Sequence, residues 1–151
     1  MITVRRIAPG DIEALGRHVK PEPLLHEARA QLQREGRAVY LIAFEEERPV
    51  GHAFVMFPPL GRSHPRPPDV AEVEDLFVAA GCRSAGVGTR LLAEAERVAR
   101  SRGFREIGLV VGVDNAAAQR LYARLGFEET ELGEFWVEGA RAVCRYLVKP
   151  L

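Results

Sequence analysis

The stretch "RSAGVGTRLL", residues 83–92, sets Gly86 and Gly88 on either side of Val87 at the mouth of an amphipathic helix. Glycine costs roughly 0.5–1 kcal/mol relative to alanine in regular structure, so two of them here ask for a reason. The first N–H groups of a helix have no internal partner, and its dipole favours an anion there. Glycine removes the Cβ that would hold a phosphate away from those amides and tolerates positive φ. Thr89 adds a hydroxyl donor and Arg83 a guanidinium. One charge at a helix N-terminus contributes about 0.3–1 kcal/mol, and several amides closing on a pyrophosphate contribute more. The residues point to a phosphate-bearing ligand. Neither common phosphate motif fits: the P-loop lysine position holds Val87 or Gly88, and Leu91 stands where a dinucleotide fingerprint needs its third glycine.

Upstream, "AEVEDLFV" places Glu72 and Glu74 on one face of a strand and Asp75 on the other, unless a bulge resets the alternation. A carboxylate there can take a proton or sit in an ion pair. His18, His26, His52 and His64 have no metal-ligand spacing, so no metal is expected. His52 reads as a strand histidine, and Arg62, His64 and Arg66 as a solvated basic loop able to meet an acidic acceptor. Phe135 and Trp136 read as core or interface residues near the acceptor groove.

These groups need a scaffold. "ITVRRI" reads as a strand ended by Pro9-Gly10, and Asp11 as the cap of a short helix. A second helix follows Pro23 and runs to about Glu35, with Gly36 as its C′ residue. "AVYLIAF" and "VGHAFVMF" form a hairpin through residues 46–49, and the Pro-rich "PPLGRSHPRPPD" is too long for a tight turn. The strand "AEVEDLFV" precedes a helix over Gly88–Arg102. "EIGLVVGV" is apolar enough to be covered on both faces. Asp114 or Asn115 caps a helix carrying Ala118, Leu121, Tyr122 and Leu125, and a last hairpin turns at Glu138-Gly139. The order β-α-α-β-β-β-α-β-α-β-β implies a single α/β domain over residues 1–151 with a mixed sheet.

Lysine and arginine number 21 against 21 acidic residues, interspersed along the chain. That argues against nucleic-acid or membrane-surface partners. Cys82 and Cys144 suggest no disulfide framework, and the N-terminus has no apolar signal region, so a cytoplasmic protein is expected.

"VEDLFV", "RSAGVGTRLL" and "DNAAAQRLYARLGF" together, in this order and spacing, resemble the GNAT superfamily of acyl-CoA-dependent N-acetyltransferases. The resemblance spans essentially the whole chain and implies a GNAT-like fold: a mixed, mostly antiparallel sheet of about seven strands flanked by about four helices. It implies acetyl-CoA as cosubstrate, with the pyrophosphate on Arg83, Ser84, Ala85, Gly86, Val87, Gly88 and Thr89. The strand before the loop splays from its neighbour, and its edge at Leu76, Phe77 and Val78 pairs with the pantetheine. Asn115, Ala118 and Tyr122 lie beside the pantetheine and thiol. Tyr122 matches the family's general acid, which protonates the departing thiolate; Glu72 matches a catalytic carboxylate by its spacing to the loop, and Glu74 is equally compatible by geometry. The amide of Leu76 would polarise the thioester carbonyl. The family commonly has glycine and a basic residue where this chain has Ser84 and Ala85, which implies one phosphate charge partner fewer. The implied reaction is direct attack by the primary amine of a small molecule or peptide in a ternary complex, and a homodimer is compatible with it. A non-catalytic CoA-binding sensor of the same fold is the competing reading.

Overall fold

Val39, Leu41 and Ala43 turn to one side of strand β2 (Ala38–Glu45), while Ala38, Tyr40, Ile42 and Phe44 turn to the other, and all are buried. A strand apolar on both faces belongs in the middle of a covered sheet. In a computed structural model of the chain, which describes residues 1–60, 64–83 and 85–151, it is an interior strand, paired along both edges. The other strands are β1 (Ile2–Arg6), β3 (Arg48–Met56), β4 (Ala71–Val78), β5 (Glu106–Gly112), β6 (Glu128–Val137) and β7 (Ala142–Pro150). They form one seven-stranded sheet in the order β1-β2-β3-β4-β5-β7-β6. Only the β4–β5 pair is parallel.

Helices α1 (Asp11–His18) and α2 (Pro23–Arg34) cover one face, with Leu15 and Ala30 packed on Tyr40, Ile42, Phe44 and Phe54. Helix α3 (Val87–Ser101) covers the other through Leu91, Leu92, Ala95, Val98 and Ala99. Helix α4 (Ala116–Arg124) lies on that same side, where Ala118 and Tyr122 pack against the core. This is the expected α/β architecture. Among the described residues no helix is long and apolar enough to cross a membrane.

Local details differ from the sequence reading. Asp11 is the first residue of α1 rather than its cap, which is Gly10. Its carboxylate instead receives the Ala8 N–H at 2.7 Å and two donors of Arg5. Helix α3 begins one residue early, at Val87, with Gly86 before it in the left-handed region at φ 80°. Asn115, not Asp114, caps α4, its side chain accepting the Ala118 N–H.

Two departures from regular pairing shape the site. β4 pairs with β5 only from Ala71 to Val73, opposite Ile107 to Leu109, and then leaves it. On its other edge β4 is bulged against β3: His52 faces Phe77 and Phe54 faces Glu74, so Asp75 and Leu76 stand opposite Ala53 alone. Asp75 takes up φ 54° to do this.

Candidate active site

The bulge decides which way β4 points its side chains. Ala71 and Val73 belong to the core on the α3 side, and so do Leu76 and Val78. The alternation is therefore reset between Val73 and Leu76, and Glu74 and Asp75 both turn away from that core. Asp75 does not point opposite to Glu72 and Glu74, as simple alternation requires; all three line one cleft of about 530 Å³. Its lining also includes Trp136 and Glu138 from the β6–β7 hairpin, together with Arg29 and His64. Trp136 is 56% exposed, so it is a wall residue rather than a core one.

Glu72 is buried and doubly held. Tyr146 donates its hydroxyl hydrogen to Glu72 Oε1 at 3.0 Å, and His64 Nε2 lies 3.2 Å from Oε2. Burial, followed by the Glu72 charge, pushes the Tyr146 phenol far above its usual value, so it stays a donor. His64 is stacked on Phe135 and its side chain is 4% exposed, which corrects the reading of a solvated loop histidine. Arg66 is also engaged, donating to Leu60 O at 3.0 Å, while Arg62 lies outside the described residues.

Asp75 is fixed by two cations. Lys20 Nζ lies 2.8 Å and Arg29 Nη1 3.0 Å from Asp75 Oδ2. Burial alone would raise the Asp75 carboxyl, but the Lys20 hydrogen bond and the surrounding positive charge hold it below the ordinary carboxylate value. Beneath it, His52 is completely buried with Nδ1 3.1 Å from Asp75 O, and burial pushes its imidazole down to about 4. His52 lies in strand β3 as expected, but it is not the fully satisfied histidine its position suggested: its buried Nε2 has no hydrogen-bond partner among the described residues.

On the other face, the glycine loop has the properties of an anion cradle. No side chain caps α3 among the described residues, and basic or neutral residues fill its first turn. A Cβ on Gly86 would meet nothing within 4 Å, and one on Gly88 would reach only Val78 and Leu76, at 3.9 and 4.0 Å. Side chains at these two positions would therefore meet little, and Gly88 lies next to Leu76 and Val78 of β4. Thr89 and Ala85 are exposed there, Val87 is buried beneath, and Phe77 turns to the far face, stacked on His52. Arg83 donates its Nε hydrogen to Val78 O at 3.1 Å. Ser84 lies outside the described residues.

Tyr122 is half-buried and makes an edge contact with Phe127, and its hydroxyl has no hydrogen bond to a described residue. Burial raises its phenol above the usual value, so it carries its proton at neutral pH. It packs against the same core as Leu76, Val78 and Ala118.

The sequence profile of the acetyltransferase (GNAT) family matches residues 11–127. The chain belongs to that family. Within this GNAT chain, 75 residues are 40% identical to an "uncharacterized N-acetyltransferase" of Methanocaldococcus jannaschii, over 50% of the chain and 33% of that protein. An aminoglycoside N(6')-acetyltransferase type 1 of Serratia marcescens is 36% identical over 67 residues, which is 44% of the chain and 46% of the relative. The chain thus aligns with less than half the length of either relative. Its fold is that of a PaiA N-acetyltransferase from Thermoplasma acidophilum solved in complex with coenzyme A. The TM-score is 0.76 at 16% identity, covering 100% of this chain and 99% of the other.

Reasoning from sequence named the glycine loop, Tyr122 and the β4 carboxylates of this GNAT fold, but not Tyr146, Gly108, Lys20 or Arg29. Gly108 left a trace: glycine inside the apolar strand "EIGLVVGV" often marks the close approach of another group. The Tyr146 ring occupies that space.

Proposed function

We propose that the protein transfers the acetyl group of acetyl-CoA to a primary amine by direct attack, without an acyl-enzyme. The observations that carry this reading are the early end of the β4–β5 pairing, the α3 N-terminus that no described side chain caps, and the acidic side chains that β4 presents to the cleft. The names of the relatives, all acetyltransferases, agree with it.

The balanced reaction takes R–NH3⁺ and CoA–S–CO–CH3 to R–NH–CO–CH3, CoA–SH and one H⁺. The amine must lose a proton before attack, because an alkyl ammonium of pKa near 10.4 has no lone pair at pH 7. The cleft face of β4 supplies Glu72 and Glu74 for that step. The nitrogen then forms its bond to the thioester carbon, whose oxygen needs an N–H donor. The bulge at Asp75–Leu76 takes backbone out of the β3–β4 ladder, and the Leu76 amide is the donor this reading assigns. When the C–S bond breaks, Tyr122 gives its proton to the thiolate. The pyrophosphate rests on the amides of residues 86–89.

The test is thermal stability with and without acetyl-CoA, in wild type and in Gly86→Asp. A ligand at a hundredfold excess over Kd adds about 2.7 kcal/mol to a protein that binds it only when folded. A shift in the wild type that is lost in the variant, together with thiol release in the presence of an amine, supports the transfer reading. No shift at millimolar acetyl-CoA would refute it.

A further inference from the structure

We propose that His64 and Glu72 act as a single proton-holding unit, and that this unit, rather than Glu72 alone, takes the proton of the acceptor ammonium. The inference rests on the acetyltransferase reading and deepens it. The argument is a count of hydrogens. His64 Nδ1 lies 2.9 Å from Pro65 O. A carbonyl oxygen only accepts, so Nδ1 carries a hydrogen. Tyr146 uses its own hydrogen on Glu72 Oε1. The remaining contact, His64 Nε2 to Glu72 Oε2 at 3.2 Å, joins a lone pair to a lone pair unless one more proton lies between them. The pair therefore holds one proton beyond a neutral imidazole and a carboxylate, and that proton lies between Nε2 and Oε2.

Placement gives this proton a destination. Both side chains line the cleft, although they are only 4% and 3% exposed, so they are shielded from bulk water yet reach the cavity. The neighbouring groups from each side are Tyr146 on β7, Phe135 on β6, Glu74 and Asp75 on β4, Arg29 on α2 and Arg66 on the loop itself. Asp75 is already matched by Lys20 and Arg29. In its loaded form the unit cannot accept. Once its proton has left to solvent, the N–H bond of the ammonium breaks and the proton enters the Oε2–Nε2 position. The nitrogen keeps the electron pair that attacks the thioester. Product release and loss of that proton restore the empty form. Tyr146 positions Glu72 for this and is not itself a proton acceptor.

Two measurements test the proposal. The first is the ¹⁵N NMR titration of the His64 ring in wild type and Glu72→Gln. We expect the midpoint to fall by about 1–3 pH units when the carboxylate is removed; an unchanged midpoint overturns the shared proton. The second is the pH profile of kcat/KM with lysine, spermidine and an alanine-ended peptide as probes, in wild type and His64→Gln. We expect an acidic limb at the NMR midpoint in wild type. In the variant the limb should move to lower pH, with kcat down by about 10²-fold and KM for acetyl-CoA unchanged. A His64→Gln enzyme with the wild-type limb overturns the role of His64 while leaving acetyl transfer intact. Coupled titration with no transfer to any probe, and no stabilisation by acetyl-CoA, overturns the transfer reading and the proton-acceptor role together.

Discussion

Tyr146 reaches Glu72 across 74 positions of sequence, and it does so over a glycine. Gly108 is paired directly with Glu72 in the β4–β5 ladder, and a Cβ there would lie 2.6 Å from the Tyr146 hydroxyl and within 2.4 Å of its ring. Two residues on two neighbouring strands thus help to set the orientation of one buried carboxylate. Gly108→Ala must displace the ring, and overpacking of this kind costs about 1–3 kcal/mol. Tyr146→Phe keeps the ring and leaves Glu72 Oε1 without its donor, costing about 1–3 kcal/mol. Urea unfolding of both single variants and the double variant should give a sum well below additive, because each loses the same contact.

Tyr122→Phe should reduce kcat by about 10²-fold or more while the acetyl-CoA affinity stays near wild type. The half-buried phenol is raised by burial, so it is protonated throughout the neutral range and loses its proton only at strongly alkaline pH. Wild-type activity should therefore show an alkaline limb that Tyr122→Phe lacks. Equal rates for the two proteins would remove Tyr122 from the reaction.

Asp75→Asn separates charge from backbone at the bulge, since asparagine tolerates the φ of 54° that residue 75 adopts. It strands Arg29, whose side chain is 6% exposed, and Lys20 beside it. Loss of one partner of a buried pair costs about 3 kcal/mol or more. The folded carboxyl lies below its ordinary 3.8. Its stabilising contribution is therefore complete above that value and is lost as pH falls through the folded value. Guanidinium unfolding from pH 7 down to pH 3 should show this loss in wild type and not in the variant.

His52 adds a second acid-sensitive step at higher pH. Its imidazole falls from 6.5 to about 4 on burial, so folding favours the neutral ring. That preference is fully expressed above pH 6.5 and is lost between 6.5 and about 4, a contribution of about 3 kcal/mol. His52→Gln should flatten the stability curve over that window. A curve of unchanged slope would show that His52 is charged in the fold.

The order of strands and helices was legible because each element carries its own signal. Period-two runs, the apolar stripe of α3, Gly36 after α2 and Asn115 before α4 are local facts about the chain. The glycine loop was legible for the same reason: the backbone freedom it needs is written in the residue types that supply it. Tyr122 stood out through the resemblance of "DNAAAQRLYARLGF" to the GNAT pattern. What remained hidden is pairing at a distance. Nothing near Asp75 announces the bulge, because the extra residue is defined only against Ala53 on β3. That single insertion turns Asp75 onto the same cleft as Glu72 and Glu74, which strict alternation forbids. The partners of those carboxylates come from α1–α2, the Pro-rich loop and β7, far apart in sequence. A carboxylate's ability to hold or take a proton depends on what surrounds it, and only the packed sheet and its covering elements fix those surroundings. The chain's own residues determined that a helix starts directly after a glycine loop and that a strand of acids precedes that loop. The tertiary structure decided which acid is buried, which is paired, and which histidine shares its proton.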